Sequence, residues 1–279
     1  MRLGCHLSIA KGFAAAVKVA PTLGANAFQY FTKNPRGFRN AKPLDRVDAE
    51  RGRELMRELD LIAVGHTPYL INLAASDEGL YNASIDALVQ DLVIAQARGT
   101  YGVVVHCGKP KDQGRSWGVE RMQKALRTVL ERNQTEGVQI LVENTAGQGS
   151  EIGTAMEELL AIVEPFSVAE VGICFDTQHA FAAGMISRDN PSAFAGFDNP
   201  AFMQRLKAIH LNDSKVEFGA HKDRHELIGQ GQLGIPGIAA LVNDPRLTNI
   251  PFYLETPVNT EKQYADEIQA VKDLIKPAP

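Results

Sequence analysis

Five histidines and four carboxylates in this 279-residue chain stand where short apolar runs give out. The phrases are VGHTP (His66), VVVHCG (His106), ILVENT (Glu143), ICFDTQH (Asp176, His179), AIHLND (His210), KDRH (Asp223, His225) and FYLETP (Glu255). Imidazole nitrogens and carboxylate oxygens are the donors that zinc and similar ions take. One such residue alone has a plain explanation, as a hydrogen-bonded core histidine or a strand-end acid capping the next helix. Nine of them repeated along the chain do not. Part-buried carboxylates without partners would cost several kcal/mol each, and clustered cations offset that cost. The set reads as a multi-metal hydrolytic site, since paired ions acidify water and stabilise attacking and departing oxygens alike.

The elements that must position these residues can be read from periodicity. β-branched runs at 2–9, 27–32, 61–66, 102–107, 139–143, 171–176, 207–211 and 251–255 read as strands. Helical spacing appears between them, as in Tyr81, Ile85, Leu88, Leu92 and Ala95. Further helices are expected near 11–23, 47–60, 117–134, 154–163, 236–243 and 261–275, whereas Asn-Pro pairs at 190–191 and 199–200 suggest broken helices across 180–205. Strand-helix alternation requires parallel pairing, because each crossover has helix length. Eight units in one domain spanning 1–279 predict a (β/α)8 TIM barrel. An open sheet would gather its polar residues at one switch point, whereas these fall at the ends of strands three to eight, around a rim. His6 ends the first strand and is expected to support the site or touch substrate. His221 falls in a loop and is expected to be solvated.

Bulk properties agree with this reading. Apolar residues make up 44% and charged residues 22%, an ordinary globular balance. No apolar stretch approaches the roughly 18–20 residues needed to span a bilayer. The opening MRLGCHLSIAKG runs straight into a strand-like pattern, so a cytoplasmic protein is expected. Cys5, Cys107 and Cys174 read as free buried thiols, and Cys107 should point away from the face that carries His106. Net charge is −4, yet residues 1–60 hold eleven Lys and Arg against six Asp and Glu.

The longer motifs GHTPYLINLA, LVENTAGQGSEIG, CFDTQHAFAAG, IHLNDSK, DRHELIGQGQLG and LETP, with GCHLS and FTKNPR, are similar to those of the endonuclease IV family of abasic-site DNA repair enzymes. The resemblance covers nearly the whole chain. It implies a phosphodiester hydrolase that cuts duplex DNA 5′ to an abasic site. The products would carry a 3′-hydroxyl and a 5′-deoxyribose phosphate, and 3′-blocking groups would be trimmed too. It also implies three Zn2+ ions per chain, and such ligands also accept Mn2+. By resemblance, His66 and His106 hold one ion and Glu143 bridges it to a second. Asp176, His210 and Glu255 complete the second site, and His179, Asp223 and His225 hold the third. Glu143 is then the catalytic carboxylate, beside the attacking oxygen. Arg36, Tyr69 and Leu70 match residues that fill the gap in the duplex while the abasic nucleotide is flipped out. Lys33, Arg36 and Arg39 are candidate phosphate contacts. A monomer is expected, because DNA must cover one whole face.

Two motifs mislead. Gly229 to Gly234 spells GxGxxG, but no strand directly precedes it, so no nucleotide cofactor is expected. Its glycines should instead allow a tight turn beside the third ion and a close approach to phosphate. The run GKPKDQGRS at 108–116 has the wrong spacing for a phosphate loop, with Arg115 in place of lysine. Two rival functions remain. A sugar isomerase or epimerase would use one or two ions and fewer histidines, and a damage-binding protein would use closed structural zinc sites.

Overall fold

Val103, Val104 and Val105 are consecutive and all fully buried, so both faces of their strand are covered. That is the environment of a parallel strand between two apolar layers. The computed structural model describes residues 1–37 and 43–276. In chain order it runs β1 (Leu3–His6), α1 (Phe13–Thr22), β2 (Ala27–Phe31), α2 (Arg46–Glu58), β3 (Ile62–His66), α3 (Glu78–Arg98) and β4 (Gly102–His106). There follow α4 (Arg115–Arg132), β5 (Gln139–Glu143), α5 (Met156–Val163), β6 (Val171–Asp176), α6 (Thr177–Ala183), α7 (Pro200–Arg205) and β7 (Leu206–His210). A small antiparallel pair, β8 (Asp213–Ser214) and β9 (His225–Glu226), precedes α8 (Gly234–Val242), β10 (Phe252–Leu254) and α9 (Tyr264–Leu274). The eight longer strands close in the order β1-β10-β7-β6-β5-β4-β3-β2, every neighbour parallel. This is a TIM barrel.

Strand alternation sorts side chains into two cores. Val103, Val105, Ile140, Val142, Ile173 and Phe175 point outward against helix residues such as Leu88, Leu92, Met122, Leu126 and Leu159. Ala27, Val64, Val104, Leu141, Cys174, Ala208 and Tyr253 point inward and plug the barrel. Gly4 stands at the corresponding position of β1, where a Cβ would lie 2.0 Å from the Ala27 carbonyl oxygen, so glycine lets these strands approach. Side chains two residues apart share a face. Two residues beyond the plug, each strand carries a polar group at one mouth: His6, Gln29, His66, His106, Glu143, Asp176, His210 and Glu255. The apolar plug is therefore the floor of a polar basin.

Helix ends follow local chemistry. Asp77 caps α3 by accepting from the Leu80 amide at 2.7 Å, and Gly99 ends it in the left-handed conformation. The interval 180–205 is broken as expected, into the end of α6, two short 3-10 turns and α7. Helix α6 starts directly after β6, with no loop between them. That junction sets Asp176 and His179 one helical turn apart.

Candidate metal centre

Glu143 lies at the middle of the basin, fully buried. Its Oε2 is 3.3 Å from His66 Nε2 and 3.2 Å from His106 Nε2. Its Oε1 is 3.0 Å from His210 Nδ1 and 3.3 Å from His179 Nδ1. His210 Nδ1 also lies 3.1 Å from Glu255 and 3.8 Å from Asp176. On the outer side, Asp223 Oδ1 is 3.4 Å from His179 Nε2 and 3.5 Å from His225 Nε2. Donor atoms fall into three groups, each within 4.8 Å: His66, His106 and Glu143; Glu143, Asp176, His210 and Glu255; Asp176, His179 and His225. The fold thus brings together all nine residues read from the sequence. Asp223 sits beside the third group rather than within its 4.8 Å limit.

The donor set fits divalent cations on three counts. First, four carboxylates and five imidazoles are oxygen and nitrogen donors suited to zinc. Second, three of the imidazoles are held in defined tautomers by backbone carbonyls. His66 Nδ1 donates to the Thr67 backbone carbonyl at 2.7 Å, His179 Nδ1 to that of Asn144 at 3.0 Å and His225 Nδ1 to that of Glu255 at 3.1 Å. Each leaves Nε2 facing carboxylates, the arrangement that orients metal-binding histidines. Third, His225 Nε2 is buried with no hydrogen-bond partner, an orphan that a cation would satisfy.

Electrostatics point the same way. Burial works to raise the Glu143 and Glu255 carboxyls, but His210 beside both holds them well below the usual carboxylate range. Burial likewise opposes ionisation of Asp223, which the bonded His179 keeps low. Burial would lower His179 and His210, yet the Asp176 carboxylate beside the first, and the Cys174 sulfur with the Glu255 and Glu143 carboxylates beside the second, lift both well above the ordinary imidazole value. The basin therefore favours the charged forms of Glu143, Glu255 and Asp223 and draws positive charge towards them.

Asp176 does two jobs. Its Oδ1 caps α6 by accepting from the His179 amide at 2.7 Å, while its Oδ2 faces the cluster. One carboxylate thus caps a helix with one oxygen and offers the other to the cluster. Sequence reading missed the supports. Asn144 brackets the Asp176 backbone, with its amide donating to the Asp176 carbonyl and its oxygen accepting from the Asp176 N–H. Asn212 donates to Asp176 Oδ2 at 2.7 Å and accepts from the Glu255 amide at 2.8 Å. Gln29 is fully buried in the middle of FQYF, and a polar amide in an apolar strand was the available signal.

The rim loops divide. Tyr69 and Leu70 are 64% and 52% exposed, so they are not core packing. Tyr69 stands edge-on to Phe31 at 5.0 Å, and its backbone amide donates to Pro35, which ties the two loops together. With His6, Phe31 and Tyr264, Tyr69 walls a cleft of about 300 Å³ over the basin. Arg36 is exposed on the adjoining turn. Lys33 must be corrected: it is buried, its ammonium 3.0 Å from the buried Asp91 carboxylate and donating to the Ala87 carbonyl. It cannot reach a phosphate while it neutralises Asp91. Arg39 lies outside the described residues. His6 does line the cleft, and His221 is exposed as expected.

The glycine loop also differs from expectation. Asp213 accepts from the Gly231, Leu233 and Gly234 amides, and a Cβ on Gly231 would lie 2.5 Å from its carboxylate. The close approach is to a buried aspartate rather than to phosphate. Cys107 points away from the basin, donating to the Glu143 carbonyl at 3.1 Å.

A family model described as the xylose isomerase-like TIM barrel matches residues 17–274. The "probable endonuclease 4" of Symbiobacterium thermophilum is 45% identical over 99% of this chain and 100% of its own length. That of Heliobacterium modesticaldum is 42% identical over 99% of this chain and all of its own length. The crystal structure of endonuclease IV from Thermus thermophilus superposes with a TM-score of 0.88 at 35% identity, covering 98% of both chains. A D-tagatose 3-epimerase-like protein shares the fold alone, at 19% identity and a TM-score of 0.74.

Proposed function

Because this chain belongs to the endonuclease IV family of xylose isomerase-like TIM barrels, we propose that it is an abasic-site endonuclease that hydrolyses the phosphodiester 5′ to the lesion in duplex DNA. The ends produced are a 3′-hydroxyl and a 5′-deoxyribose phosphate, and 3′-blocking groups are trimmed at the same centre. One observation carries the reading: three donor groups adjoin at a barrel mouth, the first two sharing the Glu143 carboxylate and the last two sharing Asp176.

Three zinc ions are the cofactor of this proposal, with manganese accepted in some sites. His66 and His106 hold the first. Asp176, His210 and Glu255 hold the second, with Glu143 shared between the two, and His179, Asp223 and His225 hold the third. Bound ions supply Lewis acidity, polarising the phosphodiester and acidifying water. The side chains do the rest. Glu143 fixes the spacing between the groups it joins, and it is the catalytic carboxylate closest to where attack occurs. Tyr69 and Leu70 stand beside the cleft, where an aromatic face and an apolar wedge hold an opened duplex. Arg36 on the adjoining turn contacts the phosphate backbone. The whole of 1–279 acts as one domain, as a monomer and in the cytoplasm. Among the described residues no helix is long and apolar enough to cross a membrane.

The test is incision of a duplex containing one tetrahydrofuran abasic analogue, with and without chelator. A single cut 5′ to the analogue, abolished by chelator and restored by zinc, is the expected result. Absence of incision by zinc-loaded protein, or incision untouched by complete metal removal, overturns the proposal.

A further inference from the structure

From β2, Gln29 reaches across the barrel mouth and joins three other strands. Its side-chain oxygen is 2.7 Å from His210 Nε2 on β7, and its side-chain nitrogen is 2.5 Å from Glu255 Oε1, at the end of β10. The same nitrogen lies 3.0 Å from His6 Nδ1 on β1. Gln29 is fully buried, so water cannot replace these contacts. The amide's orientation follows from chemistry. An ionised carboxylate only accepts hydrogen bonds, so the NH2 group must face Glu255 and the oxygen must face His210. His210 therefore carries its proton on Nε2 and donates it to Gln29. The other ring nitrogen, Nδ1, is left facing Glu143 at 3.0 Å, Glu255 at 3.1 Å and Asp176 at 3.8 Å.

We infer that Gln29 is a positioning residue for the Glu143–Asp176–His210–Glu255 group, selecting the His210 nitrogen that faces the cation and holding Glu255 against it. This rests on the metal-centre reading above and extends it to a residue that coordinates nothing. A carbonyl or carboxylate on the distal nitrogen of a metal-bound histidine is the usual device for fixing its tautomer. Here one amide serves a histidine and a carboxylate at once, so its loss should loosen one group and spare the other two.

The test compares the zinc-loaded wild type with Gln29→Met, which keeps length and removes all three hydrogen-bond contacts of the amide. Zinc release is followed during titration with a chelator, alongside the melting temperature of each metal-free protein. Gln29→Met should surrender one zinc in three about 10–100-fold more readily, the usual effect of losing such a partner, with metal-free melting unchanged. Retention of all three ions as tightly as wild type overturns the assignment. If the variant does not fold, nitrogen-15 spectra of histidine side chains in the wild-type holoenzyme decide. A protonated Nε2 and a metal-bound Nδ1 at His210 support it, and the reverse pattern refutes it. A wild type that takes up no zinc sinks the metal-centre reading itself, which separates the two failures.

Discussion

Glu143 has four imidazole nitrogens within 3.3 Å of its two oxygens. Replacing it with Gln keeps the shape but removes the charge and turns one oxygen into a donor aimed at nitrogen. Glu143→Gln should lower turnover by roughly 10³-fold or more, the scale of losing a central electrostatic group. Binding of abasic duplex should persist in part, because the rim loops are untouched. Single-turnover incision and a gel-shift titration separate the two, and near-wild-type turnover would remove Glu143 from the chemistry. At this scale the residues that cluster at the mouth were easier to read from the sequence than those that support them. Histidines and acids ending apolar runs are conspicuous, whereas Gln29, Asn144 and Asn212 act through contacts far away in sequence. Lys33 misled for the same reason. Within KNPR it reads as a solvated cation, and nothing local shows that Asp91, on α3, is buried opposite it.

The strands were legible because their alternation repeats eight times. β5 and β6 begin and end where periodicity put them, and the other strands differ by at most a few residues at their ends. The β8–β9 pair was not legible, since two-residue strands carry no period, and neither was the loopless β6–α6 junction. Arg115, which stands where a phosphate loop would carry lysine, instead links α4 to α5. It donates to both oxygens of Glu158, which also accepts from the Gly153 and Thr154 amides at the start of α5. Burial tends to raise the Glu158 carboxyl, but Arg115 and those amides bring it below its ordinary value of 4.5. A depressed carboxyl gives stability above the unfolded value that is lost as pH falls through the folded one. Denaturant melts should therefore show Glu158→Gln less stable than wild type at pH 7. The gap should close below about pH 4.5, and a gap independent of pH would contradict the assignment. Among the rim loops, Tyr69→Ala should weaken binding of abasic duplex about 10–100-fold, from stacking worth roughly 1–3 kcal/mol. Intact duplex should be bound almost as before, and equal losses on both would make Tyr69 a general contact instead.

For the whole molecule, a dry floor and a polar rim are consequences of one alternation. Ala27, Val64, Val104, Leu141, Cys174, Ala208 and Tyr253 fill the barrel, and the next inward residue of each strand opens into the basin. Parallel pairing puts every strand end at the same mouth, so residues from His66 to Glu255 meet although they are far apart in the chain. The epimerase-like barrel with the same fold shows that the architecture does not choose the reaction. The side chains at the mouth do. Anomalous diffraction at the zinc edge from crystals of the zinc-loaded protein tests this most directly. Three peaks are predicted: one among His66, His106 and Glu143, one among Glu143, Asp176, His210 and Glu255, and one among His179, Asp223 and His225. A single peak, or none at the barrel mouth, would contradict it.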